Sequence, residues 1–183
     1  SLHPDLAPYQ EQNGVKIYRR LKTGSNPSTL SNNLKRLFLF PQSLKTEIKT
    51  IAKEIKPDLI HFIGTSIIAA EKIKGLNIPL FATIESYPAL CPKGDRIYHG
   101  KQECKEICTF QKFLLCQSKS SEIGKMRNKI YLKYNPLFLS YLYKYYQQLN
   151  RNLKHCQLIA ISHYVQNLLQ QQSLSSIVIP NAL

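Results

Sequence analysis

Three short polar clusters carry most of the residues able to do chemistry in this chain: Gly64-Thr65-Ser66, Glu85-Ser86-Tyr87 and Ser162-His163. Each directly follows a run of aliphatic residues: LIHFI (Leu59 to Ile63), IPLFATI (Ile78 to Ile84) and LIAI (Leu158 to Ile161). In parallel α/β domains, ligands gather at the carboxyl ends of strands. Small and hydroxyl residues there leave backbone N–H groups at helix N-termini open to an anion or a sugar hydroxyl. Ordinary helix capping by Ser and Thr makes the same pattern at any single crossing; three aligned crossings point to a shared cleft. His61 lies inside the first apolar run and reads as a satisfied core histidine. The chain has no G-x-G-x-x-G or Walker loop, no H-E-x-x-H and no nucleophile elbow, so neither a dehydrogenase nor an ATPase is supported.

Cysteines form a second set. There are five, Cys91, Cys104, Cys108, Cys116 and Cys156. An odd count without a signal-peptide pattern argues against a secreted disulfide framework. Four thiolates suit tetrahedral zinc, and a metal can tie a loop that lacks its own core. The first four are separated by 12, 3 and 7 residues, which differs from paired C-x-x-C knuckles, so both a structural zinc site and an unmetallated loop stay open. Cys156, just before a strand, reads as a buried core thiol.

Charge supplies a third signal. The net charge is +14, from 25 Lys and Arg against 11 Asp and Glu. The last acid is Glu122, and seven basic residues follow from Lys125 onward. Such a field favours anionic partners, whether nucleic acid, acidic phospholipid or phosphate-bearing substrates. Within it, Pro136 to Asn150 reads PLFLSYLYKYYQQLN, apolar almost all round. That segment is shorter than the roughly 20 residues needed to span a bilayer. It suits either an interfacial helix, with Tyr141, Tyr143, Tyr145 and Tyr146 at headgroup level, or a helix buried against the sheet or another domain.

Elements must position these residues. Val15 to Leu21 alternates as a strand, Thr23 to Thr29 reads as a loop, and Leu30 to Phe40 as a short basic helix or turn. Leu44, Ile48, Ile51 and Ile55 recur at helical spacing, with Ser43 as the cap and Pro57 as the stop. LIHFI and IPLFATI read as strands buried on both faces, joined by a helix over Ile67 to Lys74 that ends at Gly75. Strand Leu158 to Ile161, helix His163 to Gln172 and strand Ser176 to Ile179 repeat the order. Between these blocks lie a cysteine-bearing loop (85–117) and an aromatic, basic helical insert (119–155) broken at Asn135-Pro136. Strands alternating with crossover helices give an α/β class with a parallel central sheet, within a single domain over 1–183.

Several ordered segments resemble family 4 glycosyltransferases of the GT-B fold. Thr83 to Pro92 (TIESYPALCP) is similar to their T-L-H-D-Y-W-x-L-C-P run, and Asp58 to Gly64 (DLIHFIG) to their D-V-V-H-x-H-x strand. Leu158 to Val165 (LIAISHYV) is similar to their v-i-a-v-S-x-x-v segment, and Ile177 to Asn181 (IVIPN) to their V-x-I-P-N-G run. Ser1-Leu2-His3-Pro4 with Gly14 to Arg19 resembles the family's early segment. The family's His-Asp acceptor pair falls on Glu85-Ser86, its second strand histidine on Ile63, and the Gly of its P-N-G on Ala182.

The resemblance implies the Rossmann-like three-layer acceptor half of a GT-B enzyme, lacking its first strand and helix, with a separate C-terminal domain expected to hold most of the donor. It implies transfer of a sugar from a nucleotide-sugar to a glycan or lipid-linked acceptor, polyisoprenyl phosphates and phospholipids included, and an isolated fragment that is inactive. Glu85 is then the catalytic candidate, able to orient or deprotonate an acceptor hydroxyl or to face an oxocarbenium-like transition state, or else the mark of an inactive member. Gly64, Thr65, Ser86, Tyr87, Ser162 and Asn181 are the substrate-binding candidates, and Cys91, Cys104, Cys108 and Cys116 the metal candidates. Relatives with the L-C-P segment often carry further cysteines after it. No cofactor is required for the transfer. The expected location is cytoplasmic, at the inner face of the membrane where the basic aromatic segment meets anionic lipid. The opening Ser1-Leu2-His3-Pro4, without Met or a targeting pattern, is what a fragment or a processed chain would show. Two other classes stay open: a non-catalytic basic module for anionic membrane or nucleic acid, though no nucleic-acid motif is present, and an inactive transferase partner.

Overall fold

The computed structural model describes residues 7–21, 35, 38–98, 101–118 and 135–181. The expected loop over Thr23 to Thr29, most of the basic segment before Phe40, the insert over 119–134, the Ser1 to Pro4 match and Ala182 lie outside the described residues. The chain divides into two compact units, Ser1–Asp58 with Glu71–Ile78, and Leu59–Ala70 with Pro79–Leu183.

In the first unit, β1 (Tyr9–Gln12) and β2 (Val15–Tyr18) pair as an antiparallel hairpin. Asn13 (φ 52) and Gly14 (φ 78) turn the chain, both at positive φ as a tight primed turn requires. Tyr9 and Tyr18 face each other with rings 5.3 Å apart, and the Arg19 guanidinium donates to Gln10 Oε1 at 2.7 Å. Helix α1 (Phe40–Ile55) is amphipathic, with Pro41, Leu44 and Ala52 buried. Its start corrects the expected cap. Pro41 sits in the first turn, where its missing N–H costs nothing, and Ser43 lies inside the helix, its Oγ donating to the Phe40 carbonyl. Lys56 ends the helix in the left-handed region, ahead of Pro57.

The second unit is built on a four-stranded, all-parallel sheet. Its strands β3 (Ile60–Ile63), β4 (Leu80–Ile84), β7 (Gln157–Ala160) and β8 (Ser176–Val178) stand side by side in chain order. This is a mixed α/β architecture with a parallel sheet, compatible with a Rossmann-like domain. Strand order does not reverse among the described strands, so they form no switch-point crevice.

The sheet also corrects an expectation. It is not equally buried on both faces. Phe62, Leu80, Ala82, Ile84, Leu158 and Ala160 point to the core, whereas the alternate residues His61, Ile63 and Ile177 are exposed. His61 is therefore no core histidine; its Nε2 is 2.7 Å from Thr83 Oγ1 on the neighbouring strand.

After β3 the chain forms a 3₁₀ turn over Gly64–Ala69, then the one-turn helix α2 (Ala70–Ile73) and a second 3₁₀ turn over Lys74–Leu76. The left-handed stop is Asn77 (φ 55), two residues beyond the expected Gly75. Between β4 and β7 lie the two-residue strands β5 (Ile97–Tyr98) and β6 (Gln102–Glu103), then α3 (Phe110–Ser118) and α4 (Pro136–Leu153). Asn135 caps α4, its side chain accepting from Leu137 and Phe138 N–H, with Pro136 at the first position. Helix α5 (His163–Gln170) precedes β8.

The aromatic segment is an ordinary packed helix on one face. Leu139, Tyr146, Leu149 and Leu153 are buried at helical spacing, against the 3₁₀ turn after β3 and against α3. Among the described residues, no helix is long and apolar enough to cross a membrane.

Candidate functional site

Because β3, β4, β7 and β8 are parallel and in register, their carboxyl ends emerge at one edge of the sheet. Ile63 pairs with Thr83, Ile84 with Ala160, and Ala160 with Val178. The edge therefore presents Gly64-Thr65, then Glu85-Ser86, then Ser162-His163 in lateral order.

At the first position Gly64 takes φ 63. Ser66 Oγ folds back on the strand end, donating to the Ile63 carbonyl at 2.8 Å and accepting its N–H at 3.1 Å. Ser66 is thus committed to the turn. Half-buried Thr65 meets Tyr145 of α4: burial raises the Tyr145 phenol pKa, and a hydrogen bond with Thr65 offsets only part of that rise.

At the second position Glu85 and Ser86 are exposed, and among the described residues no hydrogen bond or ion pair engages Glu85. The loop then tightens. The Tyr87 carbonyl accepts from Leu90 and Cys91 N–H at 2.8 and 2.7 Å, and Ala89 and Leu90 are buried. Asn150 of α4 pins this loop, its Nδ2 donating to the Ala89 carbonyl at 2.9 Å and to Gln172 Oε1 at 2.5 Å.

The third position is spoken for by the fold. Ser162 is the N-cap of α5, its Oγ accepting from Val165 N–H at 3.3 Å, which is the capping role weighed above. Two residues on, Tyr164 donates to Glu103 of β6 at 2.5 Å. That hydrogen bond first, and burial second, push the Tyr164 phenol up to about 12, with Tyr87 close enough to add to the shift. Asn181 is exposed beyond β8.

Gly64, Thr65, Thr83, Glu85, Ser86 and Leu149 line one cavity of about 10 Å³. That is room for about one water, not for a sugar ring. Any larger ligand at this edge must rest on the open rim formed by Thr65, Glu85 and Ser86.

Larger hollows lie elsewhere in the same unit. One of about 580 Å³ is walled by Tyr98, Gln102, Glu103, Cys104, Glu106 and Lys112. Lys112 pairs with Glu106 at 2.5 Å and sits 5.2 Å from the Tyr98 ring centre. A groove of about 300 Å³ runs along α4 past Ile107, Cys108, Tyr143, Tyr146, Arg151 and Lys154. Volume alone would put a site on this cysteine-bearing lobe. Helix termini and small residues would put it at the strand edge.

The four cysteines expected to bind metal all belong to that lobe. None forms a disulfide, and among the described residues no group of three or more His, Cys, Asp or Glu side chains stands in a metal-holding arrangement. Burial, then the neighbouring Cys91, Cys104 and Cys116, push the Cys108 thiol up to about 12. Cys156 is half-buried, and burial pushes its thiol up to about 12.

Sequence reasoning missed Asn150 and the hydrogen bond between Tyr145 and Thr65. Asn150 sits in an aromatic-rich helix and contacts a loop 61 residues away, so no local pattern marks it. No protein-family model, curated protein or solved structure matches the chain.

Proposed function

We propose that this chain is the acceptor-binding half of a glycosyltransferase of the GT-B kind, working with a donor-binding domain that supplies the nucleotide-sugar contacts. The observation that carries this reading is the common strand edge, where Gly64-Thr65 and Glu85-Ser86 meet around one cavity and leave Glu85 unengaged. A carboxylate held just past a strand end, beside the exposed Ser86, can orient an acceptor hydroxyl and take its proton as the glycosidic bond forms. The rim is open rather than deep, which suits an acceptor presented by a large glycan or a lipid rather than a small molecule swallowed whole. The Thr65 and Tyr145 hydroxyls beside it offer further hydrogen-bond partners to a sugar. Peripheral attachment to the inner face of the membrane belongs to the same proposal, with the acceptor carried in lipid.

The test is turnover. The full-length protein, supplied with a panel of nucleotide-sugars and with glycan or polyprenyl-phosphate acceptors, should transfer sugar. Glu85→Gln should lower the rate by about 10²-fold or more if Glu85 is the base; an unchanged rate would retire that role.

A second reading, a non-catalytic basic binding module, is favoured by the groove along α4, where Arg151 and Lys154 stand beside Tyr143 and Tyr146. Affinity for anionic vesicles or oligonucleotides that falls steeply with salt, in a protein with no transferase activity, would select it.

A further inference from the structure

We propose that the cavity between the β5–β6 hairpin and α3 binds an uncharged sugar, and that it serves the acceptor glycan as a second subsite. Sugar binding in this cavity stands on its own observations; the subsite role rests on the transferase reading.

The cavity is large and its walls are fixed from behind. At about 580 Å³ it has the volume of a small-molecule site, whereas the hollow at the strand ends holds about one water. Tyr98 and Gln102 pair directly across the hairpin, which sets ring and amide side by side on one face. Arg96, 4% exposed, locks the base of the hairpin. Its guanidinium donates to the Cys104 carbonyl, and its own carbonyl accepts the Cys104 N–H at 2.7 Å. Asp95 Oδ1 accepts the Ile97 N–H at 2.9 Å, and Lys93 Nζ donates to the Ile97 carbonyl at 2.8 Å. On the other wall, Thr109 Oγ1 accepts the Lys112 N–H at 3.2 Å at the start of α3. The Lys112 side chain then reaches the Tyr98 ring and the Glu106 carboxylate. Walls held in place before a ligand arrives cost little to order when it binds.

The chemistry of these walls selects the ligand. Lys105 and Lys112 are matched by Glu103 and Glu106, so the cavity is neutral in a chain of net charge +14. Lys112 is engaged by Glu106, and Glu103 by the Tyr164 hydroxyl. A phosphate would face two carboxylates, and a cation two ammonium groups. A sugar meets neither obstacle. Its hydroxyls donate to carboxylate oxygens and accept from ammonium and amide N–H groups, and the apolar face of its ring covers an aromatic side chain such as Tyr98. Gln102 offers a donor and an acceptor together, and among the described residues its side chain makes no hydrogen bond.

The cavity is also tied to the strand edge. Glu103, in its wall, accepts from Tyr164, two residues past Ser162, at 2.5 Å. Tyr87, next to Ser86, stands close enough to Tyr164 to raise its phenol further. A glycan whose reacting hydroxyl rests beside Glu85 thus has a second hold in the adjoining lobe.

The experiment titrates the 183-residue chain with uncharged trisaccharides of glucose, galactose, mannose and N-acetylglucosamine, followed by amide chemical shifts and calorimetry. At least one should bind with a Kd of about 1 mM or tighter, shifting Tyr98, Gln102, Glu103 and Lys112 together, and inorganic phosphate should not displace it. Gln102→Ala, at an exposed position, should weaken binding about 3–10-fold, as the loss of one or two hydrogen bonds does. Tyr98→Leu should weaken it about tenfold. Should Tyr98→Leu fail to fold, Gln102→Ala and the wild-type shifts still decide. In a full-length protein that turns over, Gln102→Ala should raise KM for a trisaccharide acceptor rather than lower kcat. Shifts at the cavity without any turnover would uphold sugar binding and retire the subsite role along with the transferase reading. Turnover with no shifts at the cavity and an unmoved KM in Gln102→Ala would overturn this proposal and leave the transferase reading standing. Phosphate bound at the cavity in preference to every trisaccharide would overturn it as well.

Discussion

Asn150→Ala offers a sharp test of how the strand edge is held. The Asn150 amide is half-buried and donates to the Ala89 carbonyl at 2.9 Å and to Gln172 Oε1 at 2.5 Å. One side chain thereby ties the loop carrying Glu85 and Ser86 to the segment after α5. Truncation removes two hydrogen bonds, each worth about 0.5–1.5 kcal/mol net, and leaves the carbonyl of buried Ala89 without its side-chain donor, at about 1–3 kcal/mol. These terms overlap, since the lost bond and the orphaned acceptor are partly the same event. The expected total is about 2–3 kcal/mol. Urea unfolding followed by circular dichroism should show the midpoint falling at constant slope. Amide hydrogen exchange should speed up in residues 85–91 before it does in β4 or β7. Asn150→Asp keeps the shape but replaces the donors with a charge facing a carbonyl, so it should cost at least as much. A loss below about 0.5 kcal/mol for Asn150→Ala, the level of an ordinary surface substitution, with unchanged exchange in the loop, would refute the pinning argument.

Two further outcomes follow from the same packing. Leu149 is fully buried and lines the small cavity at the strand ends, so Leu149→Ala should cost about 2–5 kcal/mol in urea unfolding; a smaller loss would mean that α4 does not seal this edge. Burial, and then neighbouring Tyr145, push the Tyr141 phenol up to about 12, against about 10 in the unfolded chain. The folded state thus binds that proton more tightly, so this contribution is whole below pH ~10 and is lost as pH rises from ~10 to ~12, and solvent screening of a partly exposed phenol keeps it well under the ~3 kcal/mol of a fully buried one. Stability measured across that range should fall less steeply in Tyr141→Phe than in the wild type; equal slopes would contradict the shift.

The parallel sheet was readable because its strands are short apolar runs ended by small polar residues. Residues 60–63, 80–84, 157–160 and 176–178 lie within a residue or two of the expected strands. Uneven burial of the sheet was not readable. LIHFI and IPLFATI are apolar at positions facing either way, so they carry no alternation to show that Ile63 stays exposed while Phe62 does not. The first hairpin was half visible. Val15 to Tyr18 alternates, but its partner is Tyr-Gln-Glu-Gln, with one apolar side chain, and only the Asn13-Gly14 turn announces it. Ser43 misled because Pro41, two residues earlier, already starts the helix. In α4 the run of tyrosines hid a one-sided pattern, since Tyr146 is buried while Tyr141 and Tyr143 are only partly so. At the site, the grouping of Gly64, Thr65, Glu85 and Ser86 follows from strand order alone. The capping duty of Ser162 was foreseen as the plain alternative. Long-range contacts such as Asn150 to Ala89 and Tyr145 to Thr65 depend on how α4 lies over the edge, which no local spacing encodes.

The central claim is that sugar-bearing acceptors bind at the rim where β3 and β4 end. Amide chemical-shift mapping of the folded chain, titrated with a short-chain polyprenyl phosphate and with a panel of oligosaccharides, tests it most directly. Gly64, Thr65, Glu85 and Ser86 should move together and saturate with one ligand. Shifts confined to the groove beside Arg151 and Lys154, or no shifts with any of these probes, would contradict it.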